Sequence, residues 1–126
     1  MKRLWISVVI FVFLVSAGIL GNRYTHRVCT GIMQTVSEAK SAEVRGKSKE
    51  ASMLSRKAMS DWKTKHPTLC MFMPHAKLET VGQTLAGLPA LSEYGAREQF
   101  LADCDRSLEQ LSYLNEMETP DVANIF

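Results

Sequence analysis

One uncharged run constrains this chain more than anything else in it. After Met1, Lys2 and Arg3, the 18 residues from Leu4 to Gly21 contain no Asp, Glu, Lys or Arg. As a helix they reach roughly 27 Å at about 1.5 Å per residue. The hydrocarbon core of a bilayer is about 30 Å thick. Lipid offers no water to an unpaired N–H or C=O, so a spanning segment has to be helical. The run therefore predicts an N-terminal membrane anchor over residues 1–21. A cleaved signal peptide is the rival reading and would leave a secreted helical domain. Lys2 and Arg3 supply its positive start, Leu4 to Val15 its apolar stretch, and Val15-Ser16-Ala17 its small-residue cleavage site. The apolar run continues through Ile19 and Leu20, which favours a retained signal anchor. A buried core helix is disfavoured, because nothing downstream is apolar enough to enclose it.

Orientation follows from the flanking charges. Lys2 and Arg3 lie closer to their membrane end than Arg23 and Arg27 lie to the other. The positive-inside rule then places the N-terminus inside the cell membrane and residues 22–126 outside, in a single pass. Those residues make one extracytoplasmic helical domain at most, large enough to bury a modest core. Its charges are segregated. Residues 22–77 hold 11 basic and 4 acidic side chains, and residues 78–126 hold 2 basic and 9 acidic. Nucleic-acid binding needs an unopposed basic face. Here each half can neutralise the other, so two oppositely charged helical layers packed together are expected. The three cysteines, Cys29, Cys70 and Cys104, are an odd number with no CxxC pair. They read as small buried apolar residues rather than a disulfide framework.

The periodicity beyond the anchor is helical throughout. Val28, Ile32, Val36 and Ala39 share a face on a helix continuing from the anchor. Gly46 marks a turn. Ser48 is placed to cap a second helix with Ala51, Leu54 or Ser55, Ala58 and Trp62 inward, ending before His66-Pro67. A third helix starts at Pro67 or at Pro74 and buries Leu78, Val81, Leu85 and Leu88. It closes near Pro89. Ser92 is placed to cap a fourth, striped by Leu101, Cys104, Leu108, Leu111 and Asn115, with Phe100 and Leu114 beside the stripe. Pro120 ends it, and Ile125 and Phe126 are expected to dock on the core. Short links make neighbours antiparallel. The expected fold is all-α: a transmembrane helix, then an antiparallel helical bundle or two stacked helical hairpins, tetratricopeptide-like by analogy only.

Chemistry is sparse in this sequence. Gly46-Lys47-Ser48 resembles the end of a phosphate loop, but position 41 is Ser where that loop needs Gly, and no strand precedes it. Nucleotide is therefore not an expected partner, and neither is nucleic acid. No nucleophile, zinc-protease or dinucleotide motif occurs. Asp103 and Asp105 flank Cys104, but residues two apart on a helix point away from each other. An enzyme is not expected, nor a cofactor. The richest segment is His66 to His75, with two imidazoles, a thiol and two thioethers. His66, Cys70, Met71, Met73 and His75 are candidate soft-metal ligands, since thiolate and thioether suit Cu(I) and imidazole suits Zn or Cu. Their spacing matches no zinc signature. Equally, Leu69, Met71, Phe72 and Met73 read as core with flanking histidines. His75 lies on the stripe of Leu78, where a core histidine in contact with Trp62 is expected.

Taken in order, these residues carry a resemblance. A Lys/Arg-started anchor precedes Trp62, then Leu69-x-x-Phe72-x-x-His75-x-x-Leu78, then leucine-striped helices and a terminal Asn124-Ile125-Phe126. The chain resembles, over nearly its whole length, the bacterial family called domain of unknown function 4363, short single-pass proteins found mainly in Gram-positive anaerobes. Pro74 directly before His75 is a departure from that pattern. The resemblance implies an anchored helical domain and no known activity. It makes Trp62, His75, Leu78 and Phe126 the structural or interaction candidates. The expected role is a protein-interaction module at the cell envelope, whose partners are the membrane and another envelope protein. The alternative is an envelope protein binding a soft metal through His66–His75.

Overall fold

The computed structural model of the chain describes residues 1–71 and 73–118. Four helices account for almost all of them: α1 (Lys2–Val44), α2 (Ser48–Leu69), α3 (His75–Glu93) and α4 (Arg97–Glu118). No strand occurs among the described residues. α1 packs on α2 and α4, and α3 packs on the same two. That closed ring is an antiparallel four-helix bundle.

α1 does two jobs along one unbroken axis. Its first half projects from the bundle with apolar side chains uncovered: Trp5 is 73% exposed and Phe13 71%. The segment is long and apolar enough to cross a membrane, and its exposure excludes the core-helix reading. From Gly21 onward the same helix buries Thr25, Val28, Cys29, Ile32, Val36 and Ala39. The stripe read from sequence is the one that packs.

Gly46 ends α1 with φ +79°, and Gly95 ends α3 with φ +74°. Both lie in the left-handed region that a Cβ disfavours. The glycine turns thus leave two compact links, Arg45–Lys47 and Tyr94–Ala96.

Several boundaries differ from expectation. Ser48 and Ser92 do not cap. Lys47 precedes α2 without a side-chain cap bond, and Ser92 lies inside the last turn of α3. The Ser92 hydroxyl instead donates to the Ser48 carbonyl over 3.2 Å, tying the two ends together. α2 runs through Pro67 to Leu69. Pro67 removes one helical hydrogen bond, but Leu69 beyond it is fully buried, and packing outweighs the local preference. The same holds at Pro89, which α3 passes before ending at Glu93. Of the two expected starts for the third helix, Pro74 is the one taken, directly preceding α3.

The face of α4 is rotated from the one read in sequence. Phe100, Cys104, Ser107, Leu111 and Leu114 are buried, while Leu101 and Leu108 lie at the margin. On α2 it is Ser55, not Leu54, that faces inward, its hydroxyl donating to the Ala51 carbonyl over 2.6 Å. Pro120 and the docking of Ile125 and Phe126 lie outside the described residues.

The charge halves meet as opposed layers. Lys40 on α1 pairs with Asp105 on α4 at 2.5 Å, and Arg56 on α2 pairs with Glu93 on α3. Arg97 donates to the Val44 carbonyl over 3.1 Å. These exposed pairs are worth little in stability.

Candidate functional site

Antiparallel packing sorts the chain into two ends. Arg97 and Val44, and Ser92 and Ser48, meet at one. At the other, His26 Nδ1 donates to Asn115 Oδ1 over 2.7 Å. That second end is where the apolar half of α1 emerges, and where the α2–α3 turn lies.

The turn gathers three of the five candidate metal ligands. His66 and Cys70 are one helical turn apart, and Cys70 keeps helical geometry at φ −60°, ψ −21°. Pro74, at φ −59°, ψ 131°, swings the chain so that α3 opens on His75. Cys70 Sγ then lies 3.6 Å from His66 Nδ1 and 3.7 Å from His75 Nδ1. The three ligand atoms all fall within 4.8 Å of one another. Met73 is buried in the core with Leu69, and Met71 is 78% exposed. The Met73 N–H donates to the Leu69 carbonyl over 3.0 Å, so buried side chains pin the turn on either side of Cys70.

Trp62 and Leu78 are buried. Trp62 does not meet His75 as expected. Its indole lies against His66, ring centroids 6.1 Å apart. His66 in turn meets His75 edge-on at 5.6 Å. The His75 side chain is 68% exposed, because the break at Pro74 starts α3 here and turns its first residue off the buried stripe. The contact of Trp62 across the helices is with Gly82 on α3, where a Cβ would stand 3.0 Å from the indole Nε1. Phe126 lies outside the described residues.

Glu79 was not singled out from sequence, although it follows His75 by four residues, the spacing that brings helical side chains together. His75 Nε2 lies 3.0 Å from Glu79 Oε2. Of the cysteines, only Cys70 departs from the buried expectation. Cys29 and Cys104 are buried and Cys70 is exposed. Burial pushes the Cys104 thiol up to about 12, with Asp105 reinforcing the shift, so it stays protonated and inert at neutral pH.

A second feature is a groove between α1 and α2 of roughly 630 Å³. Val28 and Ile32 form its floor, with Tyr24 at one end and Gly31 opening its wall. Arg27, Lys57 and Lys65 line it, with Glu38 and Asp61 among them. A Cβ on Gly31 would meet nothing within 4 Å. The sequence offered no sign of Gly31, since a glycine within a helical stripe shows only a helix-weakening residue.

Comparison with known proteins adds family membership and no activity. No curated protein and no solved structure matches the chain. One family model matches residues 19–125, described as a domain of unknown function. With the apolar segment largely ahead of that match and the whole bundle inside it, the chain belongs to the family DUF4363.

Proposed function

We propose that this protein is a membrane-tethered interaction module at the cell envelope, with the bundle outside and an acidic amphipathic helix of another envelope protein seated in the α1–α2 groove. The observation carrying this reading is the continuity of α1. One helix is both the lipid-length apolar segment and a wall of the groove, so a partner docked there is held at a fixed height above the bilayer. The groove combines what helix-in-groove recognition requires, an apolar floor with flanking charge. Arg27, Lys57 and Lys65 outnumber Glu38 and Asp61, which favours acidic flanks on the partner.

Two variants of the full-length protein test this in cells, by crosslinking and mass spectrometry of membrane-purified material. Gly31→Leu places a bulky side chain in the groove lining, at a position where an added Cβ meets nothing within 4 Å. The double reversal Lys57→Glu with Lys65→Glu inverts its charge. Each is expected to reduce capture of a reproducible envelope partner by roughly tenfold or more, the effect of losing about 1.4 kcal/mol. Unchanged capture in both, with the bundle folded, rules the groove out as the docking surface.

A further inference from the structure

We propose that His66, Cys70 and His75 form a Zn²⁺ site, with Glu79 holding His75 in place and one coordination position open to water or a donor from another molecule. This site is on the α2–α3 turn and is independent of the α1–α2 groove.

Ligand spacing carries the proposal first. Tetrahedral zinc, with Zn–N near 2.0–2.1 Å and Zn–S near 2.3 Å, requires N···S separations of about 3.6 Å. The two imidazoles approach Cys70 Sγ to 3.6 and 3.7 Å. All three ligand atoms lie within 4.8 Å of one another. Histidine orientation is the second observation. A ligating histidine characteristically donates its other N–H to a carboxylate, which fixes the tautomer and raises basicity. His75 directs Nε2 at Glu79 Oε2 at 3.0 Å and Nδ1 at Cys70 Sγ. With Nε2 donating to Glu79, Nδ1 is the nitrogen available to a metal, and it stands 3.7 Å from Cys70 Sγ. Rigidity is the third. His66 is backed by the buried Trp62 indole, and Leu69 and Met73 hold the turn from inside.

The donor set narrows the ion. The group itself is one thiolate and two imidazoles, with Met73 buried in the core and Met71 78% exposed. That combination takes borderline Zn²⁺, and it takes copper as well. Three protein ligands with a vacant fourth position make an exchangeable site rather than a closed structural one. Binding replaces the S–H bond of Cys70 by an S–Zn bond and releases that proton to solvent. The site lies at the end of the bundle where the apolar segment emerges.

The test uses full-length protein in detergent, purified under reducing conditions without a histidine tag and titrated with Co²⁺ as a spectroscopic stand-in for zinc. The expected result is one equivalent of tetrahedral Co²⁺ with a thiolate charge-transfer band, displaced by Zn²⁺. Cys70→Ser should abolish that band. Glu79→Gln should weaken affinity by about tenfold or more while leaving the band in place. Zn²⁺ should also shield Cys70 of the unmutated protein from alkylation, a readout that needs no variant to fold. Absence of stoichiometric binding overturns the proposal. So does binding that survives Cys70→Ser, or a site that takes Cu⁺ but takes up neither Co²⁺ nor Zn²⁺ when no copper is present.

Discussion

At the scale of single residues, cysteine placement decides the chemistry available. Cys29 and Cys104 are packed among core side chains while Cys70 stands at the surface. For Cys104 this has a pH signature. Its thiol is pushed from 9.0 up to about 12 in the fold by burial, and Asp105 adds to the shift. The unfolded chain therefore ionises at lower pH than the folded one. The resulting stabilisation is fully present below about pH 9 and is lost as pH rises through 12, at a slope of at most about 1.4 kcal/mol per pH unit for one proton. Thermal unfolding of the unmutated protein and of Cys104→Ala, followed from pH 7 to pH 11, should show the stability gap between them narrowing above pH 9. A gap constant across that range would contradict the burial of this thiol. The sequence placed Cys104 on a stripe, so its burial was legible. The exposure of Cys70 was not, because it depends on where α2 stops.

At the scale of elements, helix count and the faces of α1 and α3 were readable, and helix ends were not. Hydrophobic period is a property of many residues together and survives local noise. A boundary rests on one or two, and tertiary packing overrides them. Leu69 draws α2 past Pro67 into the core, and Ser92 gives its hydroxyl to Ser48 rather than to a helix end. The candidate site depends on the first of these and on the break at Pro74. Extending α2 by a turn puts His66 and Cys70 on one face, and breaking at Pro74 brings His75 to meet them. Glu79 was legible only as a spacing, because its role depends on where His75 points. The α2–α3 contact at Trp62 gives a direct test of element packing. Gly82 leaves little slack, since a Cβ would come to 3.0 Å from the indole nitrogen, so the 2% exposed Trp62 would have to shift. Gly82→Val should cost about 1–3 kcal/mol through overpacking, despite the helix propensity gained over glycine. Chemical denaturation measures it. A neutral or stabilised variant would mean that the two helices separate more easily than their packing implies.

At the scale of the whole molecule, a bundle of ordinary size is joined to a lipid-length helix without a hinge. Both of its parts were visible in the sequence, the uncharged run by composition and the bundle by periodicity. Their continuity in one helix was expected from the sequence too, and the antiparallel packing expected of short links returns the α2–α3 turn to the end where α1 emerges. That geometry makes Cys70 a native reporter of topology. It is exposed, whereas Cys29 and Cys104 are buried. The most direct measurement of the central claim is labelling of intact cells with a membrane-impermeant maleimide, in the presence of a chelator to free Cys70, followed by fractionation. The account predicts a single label on Cys70, absent in Cys70→Ser, on protein that sediments with membranes at its full intact mass. Label that appears only after lysis, or labelled protein recovered from the medium without its N-terminal segment, would contradict a bundle tethered outside the membrane.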